Sequence, residues 1–391
     1  MNGALRVLVV HNRYRQRGGE DAVVDAEIAL LRDRGHAVEL YARDNRELEG
    51  IGSLDAAAQA LWSRRTAAEI TSLCARFGAD LVHAHNTFAL VSPSLYWSAF
   101  RAGVPVVQTL HNYRLFCVQG MFRLHDRICE DCLGHLPWRG VTRRCYHDSA
   151  AQSAALATVV TLHRALGTFR DRVTRYVALT EFCRRKFIEG GLPAERIAVK
   201  PNFVDAARPL ERPRSGALFV GRLSAEKGID TLLGALDRAP GSAIEVIGSG
   251  PEEGKVAAHP QVRARGWLAQ PEVLERMRGA SFMVLPSVWY ECFPRTVVEA
   301  FACGLPVIAS RVGALAELVE HGRTGLLFKP GSQRGLARSL AYAHAHPERM
   351  REMGANARAV YEARFSPARN YEDLMQIYQG AIAATGARKA A

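Results

Sequence analysis

Glu291 and Glu299 are separated by seven residues in the stretch ECFPRTVVE. Glu291 falls in a loop after an apolar run at 282–285. Pro294 suits the first turn of a helix, Glu299 lies early in that helix, and Gly304 ends it. A loop carboxylate and a helix carboxylate can converge near a helix N-terminus. There they accept hydrogen bonds from hydroxyl groups, while loop amides near Phe293 and Pro294 face an anion. By itself the pair is equally a helix-favouring Glu and an exposed loop Glu.

Two glycine-containing loops offer complementary chemistry. Gly221-Arg222-Leu223-Ser224-Ala225-Glu226-Lys227-Gly228 follows an apolar run, and Arg222 and Lys227 can flank a diphosphate. Arg17-Gly18-Gly19-Glu20 joins a strand to a helix, and its glycines let backbone amides approach a phosphate. The spacing is not GxGxxG, which argues against a nicotinamide enzyme. The plain readings are two solvated cations and a tight turn.

Cys117, Cys129, Cys132 and Cys145 form a Cys-x11-Cys-x2-Cys-x12-Cys pattern between 113 and 149, among eight cysteines in the chain. Four thiolates with a central Cys-x2-Cys suit a structural zinc. An iron–sulfur cluster and metal-free thiols are the alternatives. The segment has few core-forming residues, so a metal would explain how it orders. His83 and His85 share one face of a strand. Packing is the first reading for them, ahead of lining a cleft or binding a metal.

Short β-branched runs alternating with amphipathic stretches predict parallel sheets covered by helices. Strands are expected over 5–11, 37–42, 79–85, 104–111, 175–180 and 197–201. Residues 204–216, with Pro209 and Pro213, read as a linker. The pattern then restarts, with strands over 217–221, 243–247, 282–285 and 306–309 and helices over 228–238 and 294–303. From 333 the chain reads as helical, broken by Pro347 and Pro367. The expected division is a first α/β domain over 1–205, carrying the insert 113–149 and completed by a helix at 368–386, and a second over 206–367. Ligands of such sheets bind beyond the carboxyl ends of the strands.

The 391 residues carry a formal charge of +12, which points to anionic partners or an Arg-rich composition. No run of about 18 or more apolar residues and no secretory signal is evident, so a cytoplasmic protein is expected, with peripheral contact to an acidic membrane open.

The string ECFPRTVVEAFACGLPVIAS, from Glu291 to Ser310, closely resembles the signature of glycosyltransferase family 4. The likeness extends to Gly221-Arg222-Leu223 with Glu226-Lys227-Gly228, to Gly248-Ser249-Gly250-Pro251, and to Gly18-Gly19. It implies a GT-B fold, two doubly wound Rossmann-like domains facing across a cleft, and a retaining transferase using a UDP- or GDP-linked sugar. Glu299 would hold the ribose hydroxyls. Glu291, Phe293, Pro294 and Gly250 would meet the donor, and Arg222 and Lys227 would neutralise its diphosphate. Gly18, Gly19 and His111 would approach the donor from the first domain. No organic cofactor or catalytic metal is implied. The acceptor would be a saccharide or a polyprenyl-linked saccharide, as in cell-envelope polysaccharide assembly, with no nucleic acid expected. A sugar phosphorylase or nucleotide-sugar epimerase of the same fold is the competing reading. Trp289 and Tyr290 are candidates for stacking on the base.

Overall fold

The structure is a computed structural model describing residues 3–15, 18–125, 127–205 and 213–390. Arg17 and Pro209 lie outside the described residues. Among the described residues fourteen strands follow one another: β1 Arg6–Arg13, β2 Ala37–Asp44, β3 Leu81–Ala84, β4 Val106–Leu110, the hairpin β5 Arg123–Leu124 and β6 Arg127–Ile128, β7 Arg175–Ala178, β8 Ile197–Val199, β9 Ala217–Val220, β10 Ile244–Ile247, β11 Val262–Ala264, β12 Phe282–Leu285, β13 Val307–Ser310 and β14 Gly325–Phe328.

The chain divides into two compact units. The first comprises Met1–Phe122, Glu130–Pro201 and Asn370–Ala391, and the second Arg123–Cys129 and Asn202–Arg369. The hairpin, read from the sequence as part of a first-domain insert, thus clusters with the second unit. Ile128 packs on its core, and Arg123 Nη1 lies 3.4 Å from Glu226 Oε2.

The first unit holds a parallel sheet in the order β2-β1-β3-β4-β7-β8. Its inner strands β1, β3, β4 and β7 are buried on both faces because helices cover both, whereas the edge strand β2 is partly exposed. The helix Gly19–Asp33 turns Val24, Ile28 and Leu31 onto Val7, Val9 and Leu81. The C-terminal helix Pro367–Ala390 adds Leu374, Tyr378 and Ala381 to the same core.

The second sheet is also parallel, in the order β11-β10-β9-β12-β13-β14. Side-chain alternation splits its core in two. Leu218, Met283 and Val307 enter one cluster, while Phe219, Val284 and Ile308 enter the other.

Few residues of the segment 113–149 are core-forming, but those few are large: Tyr113, Phe116 and Phe122 are at most 2% exposed. Tyr113 packs on Phe122 at 4.6 Å and on Phe187 at 5.6 Å between ring centroids. Aromatic burial therefore helps to order the stretch from Tyr113 to Phe122.

Among the described residues, no helix is long and apolar enough to cross a membrane.

Candidate active site

In each sheet the strand order reverses direction once, and loops diverge there to leave a crevice. In the second sheet the reversal lies between β9 and β12, and the loops leaving these strands carry the predicted residues. Backbone contacts lock the loops together. Gly228 has φ +76°, and a Cβ there would overlap the Pro286 carbonyl oxygen. Gly248 and Gly250 press against the carbonyls of Gly221 and Leu223, and Leu223 N donates to Ser249 O at 2.9 Å. Only glycine fits such approaches, which accounts for Gly248-Ser249-Gly250.

Across this crevice Lys227 Nζ donates to Glu291 Oε2 at 2.8 Å, and Ser287 Oγ donates to Glu291 Oε1 at 2.5 Å. Lys227 Nζ also lies 5.8 Å from the Trp289 ring centroid. Tyr290 and Phe293 pack against the core, and Arg222 is exposed. The helix Arg295–Ala302 starts after Pro294 and buries Glu299. Gln270 Nε2 donates to Glu299 Oε1 at 3.2 Å, and Arg295 Nε lies 3.2 Å from the same oxygen. Burial raises the Glu299 carboxyl above the usual carboxylate range, although Arg295 and Gln270 pull it down. Glu291 and Glu299 thus answer to different partners: the first is tied to the cation, the second to an amide and a guanidinium.

A larger open depression on this unit, lined by Glu245, Arg263, Arg265 and Arg276, meets the amino ends of β9 and β10. It includes none of the loop residues above.

In the first unit the reversal lies between β1 and β3. Gly18 caps the helix Gly19–Asp33, and its N–H donates to Asp21 Oδ2 at 2.8 Å. Asp21 Oδ1 also meets His11 Nε2 at 2.9 Å, fully buried. Among the described residues, no neighbour lies within 4 Å of where a Gly19 Cβ would stand. Glu20 accepts from the Tyr14 hydroxyl at 2.8 Å, and burial pushes its carboxyl up to about 7. His111 follows β4, and its Nε2 lies 3.0 Å from His85 Nδ1. Both rings line a cavity of about 70 Å³ with Glu20, Asn86, Gln108 and Arg114.

Behind these rings stands a polar cluster of which the sequence singled out His83 but not Glu27, Lys200, Asn370 or Tyr378. Lys200, 0% exposed, places Nζ 3.0 Å from Glu27 Oε2 and 3.2 Å from Asn370 Oδ1. His83 Nδ1 lies 2.9 Å from Glu27 Oε1 and 2.7 Å from the Tyr378 hydroxyl, and its Nε2 meets Thr109 Oγ1 at 2.9 Å. Glu27 was legible: it interrupts the apolar stripe Val23, Val24, Ile28, Leu31 of its helix. Glu27, His83 and His85 bring ligating atoms within 4.8 Å of one another, but the Lys200 ammonium already supplies Glu27 with a positive charge. His83 and His85 are therefore members of a charged network rather than packing residues. Of the four clustered cysteines, Cys117 is buried and Cys129, Cys132 and Cys145 are half-buried.

The family model described as Glycosyltransferase Family 4 matches residues 17–208, and that described as Glycosyl transferases group 1 matches residues 207–360. The D-inositol 3-phosphate glycosyltransferase of Arthrobacter sp. (strain FB24) is 31% identical over 318 residues, 78% of this chain and 71% of that protein. Glycogen synthase of Mycobacterium tuberculosis is 29% identical over 279 residues, 67% of this chain; the chain spans 59% of that relative's length. Sucrose-phosphate synthase from Thermosynechococcus elongatus superposes with a TM-score of 0.72 at 19% identity, over 97% of this chain and 100% of that one. Anabaena HepE, in complex with UDP and glucose, gives 0.67 at 19% identity, over 95% and 98%. At such identities the likeness is one of fold. Two six-stranded parallel sheets, the interlocked glycine loops and these matches lead to one assignment: the chain belongs to glycosyltransferase family 4 and has its GT-B fold.

Proposed function

We propose that this chain moves a sugar, with retention of anomeric configuration, from a UDP- or GDP-linked donor to a hydroxyl of a saccharide or polyprenyl-linked saccharide. The observation that carries the reading is the Lys227–Glu291 pair at 2.8 Å, set at the strand-order reversal of the second unit. A cation for the diphosphate and an acceptor for sugar hydroxyls stand side by side there. Arg222 adds bidentate charge, Gly250 lets its loop close against Leu223 beside the donor, and Phe293 and Pro294 open the helix that faces the donor. Glu299 takes the ribose hydroxyls. That HepE binds UDP and glucose supports a nucleotide donor here.

In the reaction the acceptor oxygen bonds to the anomeric carbon as the bond to the diphosphate oxygen breaks, and the acceptor proton passes to the leaving phosphate. The protein contributes positioning, through Gly18, Gly19, His111 and Glu291, and positive charge, through Arg222 and Lys227. Calorimetry against UDP, GDP and their sugar conjugates tests the reading. One nucleotide should bind tightly to the wild type and at least about 10-fold more weakly to Glu299→Ala; no binding of either nucleotide to the wild type would overturn it.

Two finer points belong to the same proposal. A structural zinc at Cys117, Cys129, Cys132 and Cys145 is supported by their spacing. Metal analysis should find one zinc per chain, lost in Cys129→Ser/Cys132→Ser. Peripheral contact with an acidic membrane is supported by the charge of +12 and by exposed Leu136 and Trp138 beside Arg139. Flotation with anionic but not neutral vesicles is the expected result.

A further inference from the structure

A chain of polar groups runs from the interior of the first unit to its cavity. Glu27 Oε1 lies 3.6 Å from His85 Nε2, and His85 Nδ1 lies 3.0 Å from His111 Nε2. The His85 and His111 rings stack at 5.3 Å between centroids. Glu27 and His85 are 2% and 3% exposed, while His111 is half-buried and lines the cavity.

We infer that Glu27 and His85 are positioning residues that fix which nitrogen of His111 carries its proton, leaving the His111 Nδ1 lone pair free to accept a hydrogen bond from a sugar hydroxyl. The inference rests on the glycosyltransferase reading. It follows from charge and geometry. Burial alone would raise the Glu27 carboxyl, but Lys200 and His83 outweigh it and hold Glu27 ionised, well below the usual range. A bare nitrogen facing that carboxylate would set lone pair against lone pair, so His85 carries its proton on Nε2. Burial, helped by His83, keeps His85 neutral, so its Nδ1 is bare. That nitrogen can only accept, so His111 must present Nε2–H to it. Burial lowers His111 to about 3, so the ring is neutral and its Nδ1 is bare too. The interior carboxylate thereby makes His111 an acceptor, suited to a hydroxyl and unable to pair with a phosphate oxygen.

Long-range proton–nitrogen correlation spectra of the full chain, with labelled imidazoles, read the tautomers directly. Loss of signals in His85→Gln and His111→Gln assigns the rings. Both rings should be neutral with the proton on Nε2. In His85→Gln the amide oxygen can still accept, so His111 should keep its tautomer. In His85→Phe it should shift toward Nδ1–H, and slow hydrolysis of the donor should fall about 10-fold, the worth of one hydrogen bond, with nucleotide affinity unchanged. A proton on His111 Nδ1 in the wild type, or an unchanged His111 in folded His85→Phe, would overturn the inference. Failure of the functional reading has a separate signature. A wild type that binds neither UDP nor GDP while its rings carry protons as inferred would remove the sugar role of His111 and leave the tautomer assignment standing.

Discussion

Charged side chains stand near the carboxyl ends of parallel strands in both units, but on opposite terms. In the first unit Lys200 and Glu27 pair with side chains 1% and 3% exposed, inside a network of histidines, an amide and a tyrosine. In the second unit Lys227 and Glu291 pair with side chains 22% and 8% exposed, at the rim of a crevice. A buried pair has already lost its water and serves by holding its neighbours still. A rim pair keeps part of its hydration and can exchange its partner for a ligand. One unit therefore spends charge on rigidity and the other on binding.

The sharpest way to break this comparison is Glu27→Gln. It leaves the Lys200 ammonium buried without a counter-charge, and should lower stability by about 3–5 kcal/mol in chemical denaturation. Removing both charges in Glu27→Leu/Lys200→Met should recover much of that. A Glu27→Gln protein as stable as wild type would mean that the pair holds nothing. The matching change in the second unit, Lys227→Gln, should alter stability by about 1 kcal/mol or less while weakening nucleotide binding.

Next in size is Glu299→Ala, which should cost about 1.5–3 kcal/mol of nucleotide affinity, the range for hydrogen bonds to a charged group. Because burial raises the Glu299 carboxyl and the ribose hydroxyls favour its ionised form, affinity should also fall on acidification, beginning at a higher pH than for an ordinary carboxylate. Calorimetry at several pH values checks both, and a pH-independent affinity would point away from Glu299.

Acid stability separates the units more finely. His85 is held neutral in the folded chain, whereas an unfolded histidine titrates near 6.5. Below that pH the unfolded state binds the extra proton, so stability falls by about 1.4 kcal/mol per pH unit from this ring. His111, lowered to about 3, acts in the same direction. Glu20, raised to about 7, acts in the opposite sense between its ordinary value and neutrality. Denaturation midpoints across pH 5–7 should therefore be flatter for His85→Gln than for wild type; parallel curves would refute the assignment.

The smallest expected effect is Gly19→Ala. With no described residue near where its Cβ would stand, it should change stability by about 0.5 kcal/mol or less and yet lower transfer activity. Gly248→Ala should destabilise the protein, because its Cβ would overlap the Gly221 carbonyl oxygen.

The sequence was most informative where chemistry and local structure coincide. Glycines at tight backbone approaches, Pro294 before a helix and the β-branched strand runs all act over a few residues. Short or polar elements escaped: β11 is only Val262–Ala264 with Arg263 at its centre, and the helix Arg64–Phe77 was passed over although Ser63 caps its start and Gly78 ends it in the left-handed region. The buried network was half legible. Glu27 stands out in an apolar stripe, but Lys200, Asn370 and Tyr378 reach it across 170 to 350 residues of chain, and nothing in their local surroundings marks them. The family signature brought attention to the donor loops and passed over the interior that supports His111.

The C-terminal helix Pro367–Ala390 returns to the first unit after the whole of the second has been traversed. During synthesis the N-terminal sheet is therefore left with an open apolar face, the one that Leu374, Ile377 and Tyr378 eventually cover, until this helix leaves the ribosome. Asn370, a partner of Lys200, arrives equally late. The second unit can close on itself while the first waits, so the newborn chain matures in reverse order. The interval between is when it is most exposed to chaperones, proteases and self-association.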